Sequence, residues 1–187
     1  MALTPSNMLP LGTTAPDFTL PDTVSGKTLG LSELKSDRAT VIMFICNHCP
    51  YVKHVNAELV RVARDYQPRG VAFVAISSND AEHYPEDGPE QMKRVAGRLG
   101  YPFPYLYDQS QSVARAYQAA CTPDLYLFDG ALRLVYRGRL DGSSPGNGVP
   151  LTGADLRAAL DAVLAGRAPD ADQKPSMGCN IKWRAPA

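Results

Sequence analysis

Two cysteines separated by two residues, Cys46-Asn47-His48-Cys49, stand where the apolar run Val41 to Ile45 gives way to a segment of helical spacing. A thiol at a helix N-terminus meets unpaired backbone N–H groups and a partial positive charge. Both stabilise the thiolate and lower its pKa from an ordinary value of about 8.5. Cys46, at the strand's end, is expected to project an exposed, acidic sulfur that attacks a partner's disulfide. Cys49, about one turn in, is expected to displace the partner from the resulting mixed disulfide. Pro50 suits the first helical turn, where its missing N–H would have been unpaired anyway. A protonated His48 would favour thiolate over disulfide and make the pair more oxidising, by about 30 mV per pKa unit. Asn47 is placed to hydrogen-bond a sulfur or the helix start.

A cysteine pair is also half of a zinc site, but zinc needs two more ligands at suitable spacing. The other cysteines, Cys121 and Cys179, are isolated in the sequence, so no metal and no other cofactor is expected. Each has a plain reading, Cys121 as a small buried hydrophobe and Cys179 as an anchor beside Trp183. Each also has a chemical one, as an auxiliary thiol near the pair. His54 and His83 read as surface residues.

The elements around the pair follow from periodicity. "RATVIMFIC" is a strand buried on both faces. Val52, Val55, Leu59, Val62 and Tyr66 mark one face of a helix that Pro68 and Gly70 end. "VAFVAISS" is a second buried strand. "QMKRVAGRLG" reads as a helix begun near Pro89, "YPFPYLYD" as a short extended segment, and "QSQSVARAYQA" as a further helix. "DLYLFD" and "LRLVYRGRL" form a hairpin, and "GADLRAALDAVLAG" the last helix, with Thr152 as its expected cap. Near the start, "APDFTLPD" and "GKTLGLSEL" form another hairpin, with Ser32 capping a helical turn. Strands alternating with helices make an α/β domain with a central mixed sheet flanked by helices. The expected division is an N-terminal arm over 1–15, a redox domain over 16–166 and a C-terminal tail over 167–187.

The 187 residues carry a net charge of zero and 44% hydrophobic residues, so no nucleic-acid partner is expected. No apolar run is long enough to span a membrane, and "MALTPSNMLPLG" does not read as a secretory signal. A cytoplasmic location follows as the expectation, and there cysteines serve redox chemistry more often than structural bridges.

"GTTAPDFTL" followed by "GKTLGLSELK", "CNHCP", and "ACTPDLYLFD" together resemble the peroxiredoxin-like (AhpC/TSA, redoxin) branch of the thioredoxin superfamily, over about residues 10 to 166. The resemblance implies a thioredoxin-like fold with Pro123 cis and facing the cysteines. It also implies that the Thr122 backbone pairs with an extended segment of a bound partner. Cys46, Cys49, His48 and Pro123 are then catalytic, and Asn47, Thr122 and Pro123 contact substrate. The partners implied are a protein disulfide or dithiol and a reductant such as a thioredoxin or glutathione system. The chain departs from thioredoxins in having Ile45 before the first cysteine and no acidic residue on strand 39–45. It departs from peroxiredoxins in having Ile42 and Cys46 where they place Pro and Thr. Three readings result: a thiol–disulfide oxidoreductase, a thiol peroxidase, and a non-catalytic binding or redox-sensing module.

Overall fold

The computed structural model describes residues 3–185. In chain order the elements begin with β1 (Leu3–Pro5), β2 (Thr19–Pro21), β3 (Thr28–Gly30), α1 (Leu31–Leu34), β4 (Ala39–Phe44) and α2 (Pro50–Tyr66). There follow β5 (Val71–Ser77), α3 (Pro89–Leu99), β6 (Tyr105–Tyr107), α4 (Ser112–Ala116) and β7 (Cys121–Thr122). The chain continues through β8 (Asp124–Asp129), β9 (Leu134–Gly138), α5 (Ala154–Leu164) and β10 (Met177–Asn180).

Five strands form a central mixed sheet in the order β6-β5-β4-β8-β9. β4 runs parallel to β5 and antiparallel to β8, with Phe44 opposite Asp124. Every residue of β4 is buried, because its two faces meet different layers. Val41, Met43 and Ile45 join the core beneath α2 and α5, while Ile42 and Phe44 join a second core with Phe18, Tyr117 and Tyr126. This is the period-two alternation of a strand covered on both sides. The predicted face of α2, from Val52 to Tyr66, is buried in the first core.

β2 and β3 form the expected N-terminal hairpin, and β8 and β9 the later one. The caps differ from expectation. Gly30, not Ser32, precedes α1, and its N–H is bound by the Glu33 carboxylate at 2.8 Å. Thr152 offers no side-chain cap to α5. Instead the Asp141 carboxylate accepts the N–H groups of Thr152 and Gly153 at 2.7 and 2.6 Å. In each case the capping carboxylate is set by the local fold rather than by the Ser or Thr the sequence offered.

The N-terminal residues read as an irregular arm, yet β1 is a strand. It pairs antiparallel with β10, and β10 pairs in turn with β7, giving a small sheet β1-β10-β7. A ladder joining two chain ends leaves no local periodicity to read. This small sheet carries the C-terminal strand to the end of β4, where the cysteine pair lies.

Candidate active site

β4 ends at Phe44, Ile45 donates its N–H to the Ile76 carbonyl, and the chain then turns through Cys46, Asn47 and His48. Cys49 is the N-cap residue of α2, with Pro50 in the first turn. Its carbonyl accepts the Lys53 N–H at 3.0 Å. The helix therefore begins at the second cysteine, not the first. All four cysteines are present as thiols, and all are buried.

This placement corrects one expectation. Cys46 is not exposed; 2% of its surface reaches solvent. Its pKa is pushed well up, first by hydrogen bonding to Cys49 and then by burial. Cys49 is lowered to about 4 by the hydrogen bond from Cys46. Burial opposes that effect, while Cys179 and the Val52 N–H add to it. Of the two sulfurs, Cys49 is therefore the more acidic, because it receives the hydrogen bond of Cys46.

Both sulfurs face Thr122. The Cys46 Sγ lies 3.3 Å from the Thr122 hydroxyl, and the Cys49 Sγ lies 3.3 Å from the Thr122 carbonyl oxygen. The Thr122–Pro123 peptide bond is cis. The strand edge of Thr122, however, is not open to a partner. Cys179 of β10 sits opposite Thr122 in the ladder, and Asn180 opposite Cys121. The expected place of an extended partner segment is taken by the chain's own C-terminal strand.

The Cys179 Sγ lies 2.8 Å from the Cys49 Sγ. Burial and the hydrogen bond to Cys49 push the Cys179 thiol up to about 12. Cys121 is different. Its thiol donates to the Pro123 carbonyl at 3.7 Å and is raised by burial. Cys121 makes no hydrogen bond to either sulfur of the pair among the described residues. Of the two auxiliary thiols expected from sequence, the fold brings one to the pair. Trp183 remains partly exposed, with the Arg115 guanidinium 4.6 Å above its ring.

Asp87 is the site residue that spacing alone did not mark. It follows Glu86 in the "PEDGPE" loop, where an acid ordinarily faces water, yet it is fully buried. Its carboxylate accepts the Asn47 N–H at 2.7 Å and the His48 N–H at 3.3 Å. It also meets the His48 Nδ1 at 2.5 Å and the Asn79 amide at 2.8 Å. Burial alone would raise its pKa, but these bonds, with His48 foremost, hold it below the usual value. The His48 pKa is raised, chiefly by the Asp87 hydrogen bond. The His48 ring stacks on Tyr84 at 5.5 Å, and its Nε2 has no hydrogen-bond partner among the described residues. Asn47 is held at both ends, donating to the Glu86 carbonyl at 2.8 Å and accepting the Tyr105 hydroxyl at 3.1 Å. His54 bonds Ser143 and His83 bonds Asp80, both apart from the sulfurs.

Donor atoms of Cys46, His48 and Asp87 lie within 4.8 Å of one another. Such a trio could hold an ion, but four protein donors already occupy the Asp87 carboxylate. Releasing them would leave a buried loop unsupported.

The AhpC/TSA family model matches residues 11–137, more than half of the sequence and the whole cysteine loop. The chain belongs to the AhpC/TSA family. An uncharacterised protein from Geobacillus kaustophilus is 63% identical to this family member, covering 100% of this chain and 99% of its own, with a TM-score of 0.99. A protein from Sinorhizobium meliloti is 51% identical over 98% of this chain and 100% of its own, with a TM-score of 0.95. A thioredoxin-family thiol:disulfide interchange protein from Chlorobium tepidum is 19% identical over 82% of this chain and 97% of its own. Its TM-score of 0.63 shows the thioredoxin fold. No curated protein sequence matches the chain. Among the described residues, no helix is long and apolar enough to cross a membrane.

Proposed function

We propose that this AhpC/TSA-family chain is a thiol–disulfide oxidoreductase working through Cys46 and Cys49. The observation that carries the reading is geometric: two cysteines separated by two residues at the end of β4, both sulfurs 3.3 Å from Thr122, which precedes a cis proline.

Cys46 attacks a partner disulfide, forming a mixed disulfide and expelling one partner thiolate. The Cys46 proton passes through Cys49 to that departing thiolate. Cys49, again a thiolate, attacks Cys46, closes the Cys46–Cys49 bond and expels the second partner sulfur. Two electrons have moved from the pair to the partner. The missing acid on β4 is no obstacle, because the hydrogen bond from Cys46 already lowers the Cys49 pKa. In the reverse direction a thiol attacks Cys46 and Cys49 leaves, since the sulfur of lower pKa leaves faster. Thiolate stabilisation favours the reduced form, by about 30 mV per pKa unit. Asp87 raises the His48 pKa, and a protonated His48 would attract the Cys49 thiolate and add to that bias.

The reading includes a cytoplasmic setting, with a thioredoxin or glutathione system restoring the dithiol. Thr122, joined by a cis bond to Pro123, is the residue against which both sulfurs sit. No observation favours the peroxidase reading over this one. Cys46 stands where a peroxide-binding hydroxyl would be needed.

The test is insulin-disulfide reduction with purified protein and dithiothreitol. Cys46→Ser should abolish turnover, and Cys49→Ser should accumulate mixed disulfides on Cys46. Wild-type reduction no faster than the uncatalysed rate, with no Cys46–Cys49 bridge on oxidation, overturns the reading. Peroxide consumption lost only with Cys49→Ser would replace it with a peroxidase.

A further inference from the structure

Cys179 has no place in a two-cysteine mechanism, yet the fold carries it to the reactive sulfur with care. β10 is held between β1 and β7. On one side of it, the Ser176 N–H is bound by the Ser6 hydroxyl at 2.9 Å. On the other, the Lys182 N–H is bound by the Asn79 side chain at 2.8 Å, and its carbonyl by the Gln111 side chain at 2.8 Å. Asn79 also holds Asp87, so the support of the tail and the support of the cysteine loop are one network. Gly178, beside Cys179, permits the contact. A Cβ there would lie 2.7 Å from the Thr122 carbonyl carbon, too close for any other residue.

The result is a sulfur held 2.8 Å from Cys49 on an anchored strand, in the ladder position beside Thr122. Closing a disulfide from that distance requires a contraction of less than 1 Å, since the bond is about 2.05 Å long.

We propose that Cys179 is a third redox thiol of this site, which takes over Cys49 from Cys46 by internal disulfide exchange. The inference rests on the reading that Cys46 and Cys49 form a disulfide. In the oxidised chain the Cys179 thiolate attacks the Cys49 sulfur. The Cys49–Cys179 bond forms, the Cys46–Cys49 bond breaks, and its electron pair leaves on Cys46. The proton given up by Cys179 is taken by Cys46. No electron is gained or lost overall, so no external oxidant or reductant is needed. Cys46 is thereby returned to the thiol, while the stored bridge lies under β10.

The pair's electrostatics suit this step. The Cys179 thiol is held up first by burial and then by the hydrogen bond and charge of Cys49, and the Cys49 contributions vanish once Cys49 enters a disulfide. Cys179 then ionises more readily in the oxidised chain than in the reduced one.

The experiment uses the full chain, oxidised by diamide, quenched in acid, alkylated and mapped by mass spectrometry without reduction. Wild type should yield both Cys46–Cys49 and Cys49–Cys179 bridges. Their ratio should not change with the ratio of reduced to oxidised glutathione, because the exchange transfers no net electrons. Cys46→Ser should form the Cys49–Cys179 bridge in full, leaving only Cys121 alkylated. Cys179→Ser, with Cys179→Ala beside it to exclude a packing effect, should form only Cys46–Cys49. A natively folded Cys46→Ser that keeps Cys49 and Cys179 alkylatable after diamide overturns the inference. If Cys179→Ala still closes Cys46–Cys49 in that case, the oxidoreductase reading survives its failure. If Cys46→Ser bridges while neither Cys179 variant closes Cys46–Cys49, the oxidoreductase reading fails and Cys179 stands as the redox partner of Cys49.

Discussion

Gly178→Ala tests whether the close approach of β10 to Thr122 holds the site together. The backbone at Gly178 is not in the left-handed region, so the added methyl meets no conformational barrier of its own. What it meets is the Thr122 peptide, with the carbonyl carbon at 2.7 Å, the oxygen nearer still, and the Pro123 Cδ at 3.3 Å. Ordinary contact begins at 3.4 Å, and the obstacle is backbone rather than a flexible side-chain end. Either strand must retreat by roughly 1 Å, which takes a hydrogen bond out of its binding range. The interactions at stake are the pairing of Cys179 with Thr122 and of Asn180 with Cys121, and the Ile181 N–H bond to Ala120 at 3.1 Å. At about 1 kcal/mol for each bond lost, the variant should be less stable by ~2–3 kcal/mol. Urea unfolding gives that difference directly. Because the Cys179 sulfur moves with the strand, Cys49 should also lose one hydrogen bond and some of its cover. Its alkylation at neutral pH should accelerate, while Cys121 should react as before. A variant within 0.5 kcal/mol of wild type (about the scatter of ordinary surface changes), with unchanged Cys49 alkylation, refutes the reasoning.

Two further outcomes follow from buried charge. Asp87→Asn removes the carboxylate that raises the His48 pKa, so the His48 ring should titrate closer to 6.5, as read by NMR. In wild type the raised His48 value contributes stability below 6.5 that is lost as pH rises through the folded pKa. The lowered Asp87 value contributes stability that is lost as pH falls through its own folded pKa. Asp87→Asn should abolish both contributions and cost ~3 kcal/mol between them, because it breaks a buried pair. Asp124 titrates in the opposite sense. Its buried carboxyl, with the Tyr126 hydroxyl at 3.1 Å and Oδ1 without a partner, is raised from 3.8 to about 8. The folded chain therefore holds this proton more tightly than the unfolded one, and stability should fall as pH rises between 3.8 and about 8. Asp124→Asn should flatten that fall in thermal melts across the window. An unchanged slope would show that Asp124 is ionised in the fold.

What the sequence determined by itself is the chemistry and its frame. The apolar run of β4 and the three-four spacing of α2 are local signals. They are strong because a doubly covered strand and an amphipathic helix each imprint their burial on consecutive residues. They place Cys46 and Cys49 at a strand–helix junction, while the position of Thr122 and Pro123 opposite them is implied only by the resemblance of "ACTPDLYLFD" to the redoxin pattern. Tertiary structure decided which sulfur is the more acidic, since that depends on the hydrogen bonds that Cys46 and Cys179 bring to Cys49. It also buried Asp87, which an acidic loop sequence gives no reason to expect inside. Above all it brought Cys179 to Cys49. That contact joins residues 130 positions apart through a strand recognised only by its partners, and a ladder between chain ends leaves no period along the chain from which to read it.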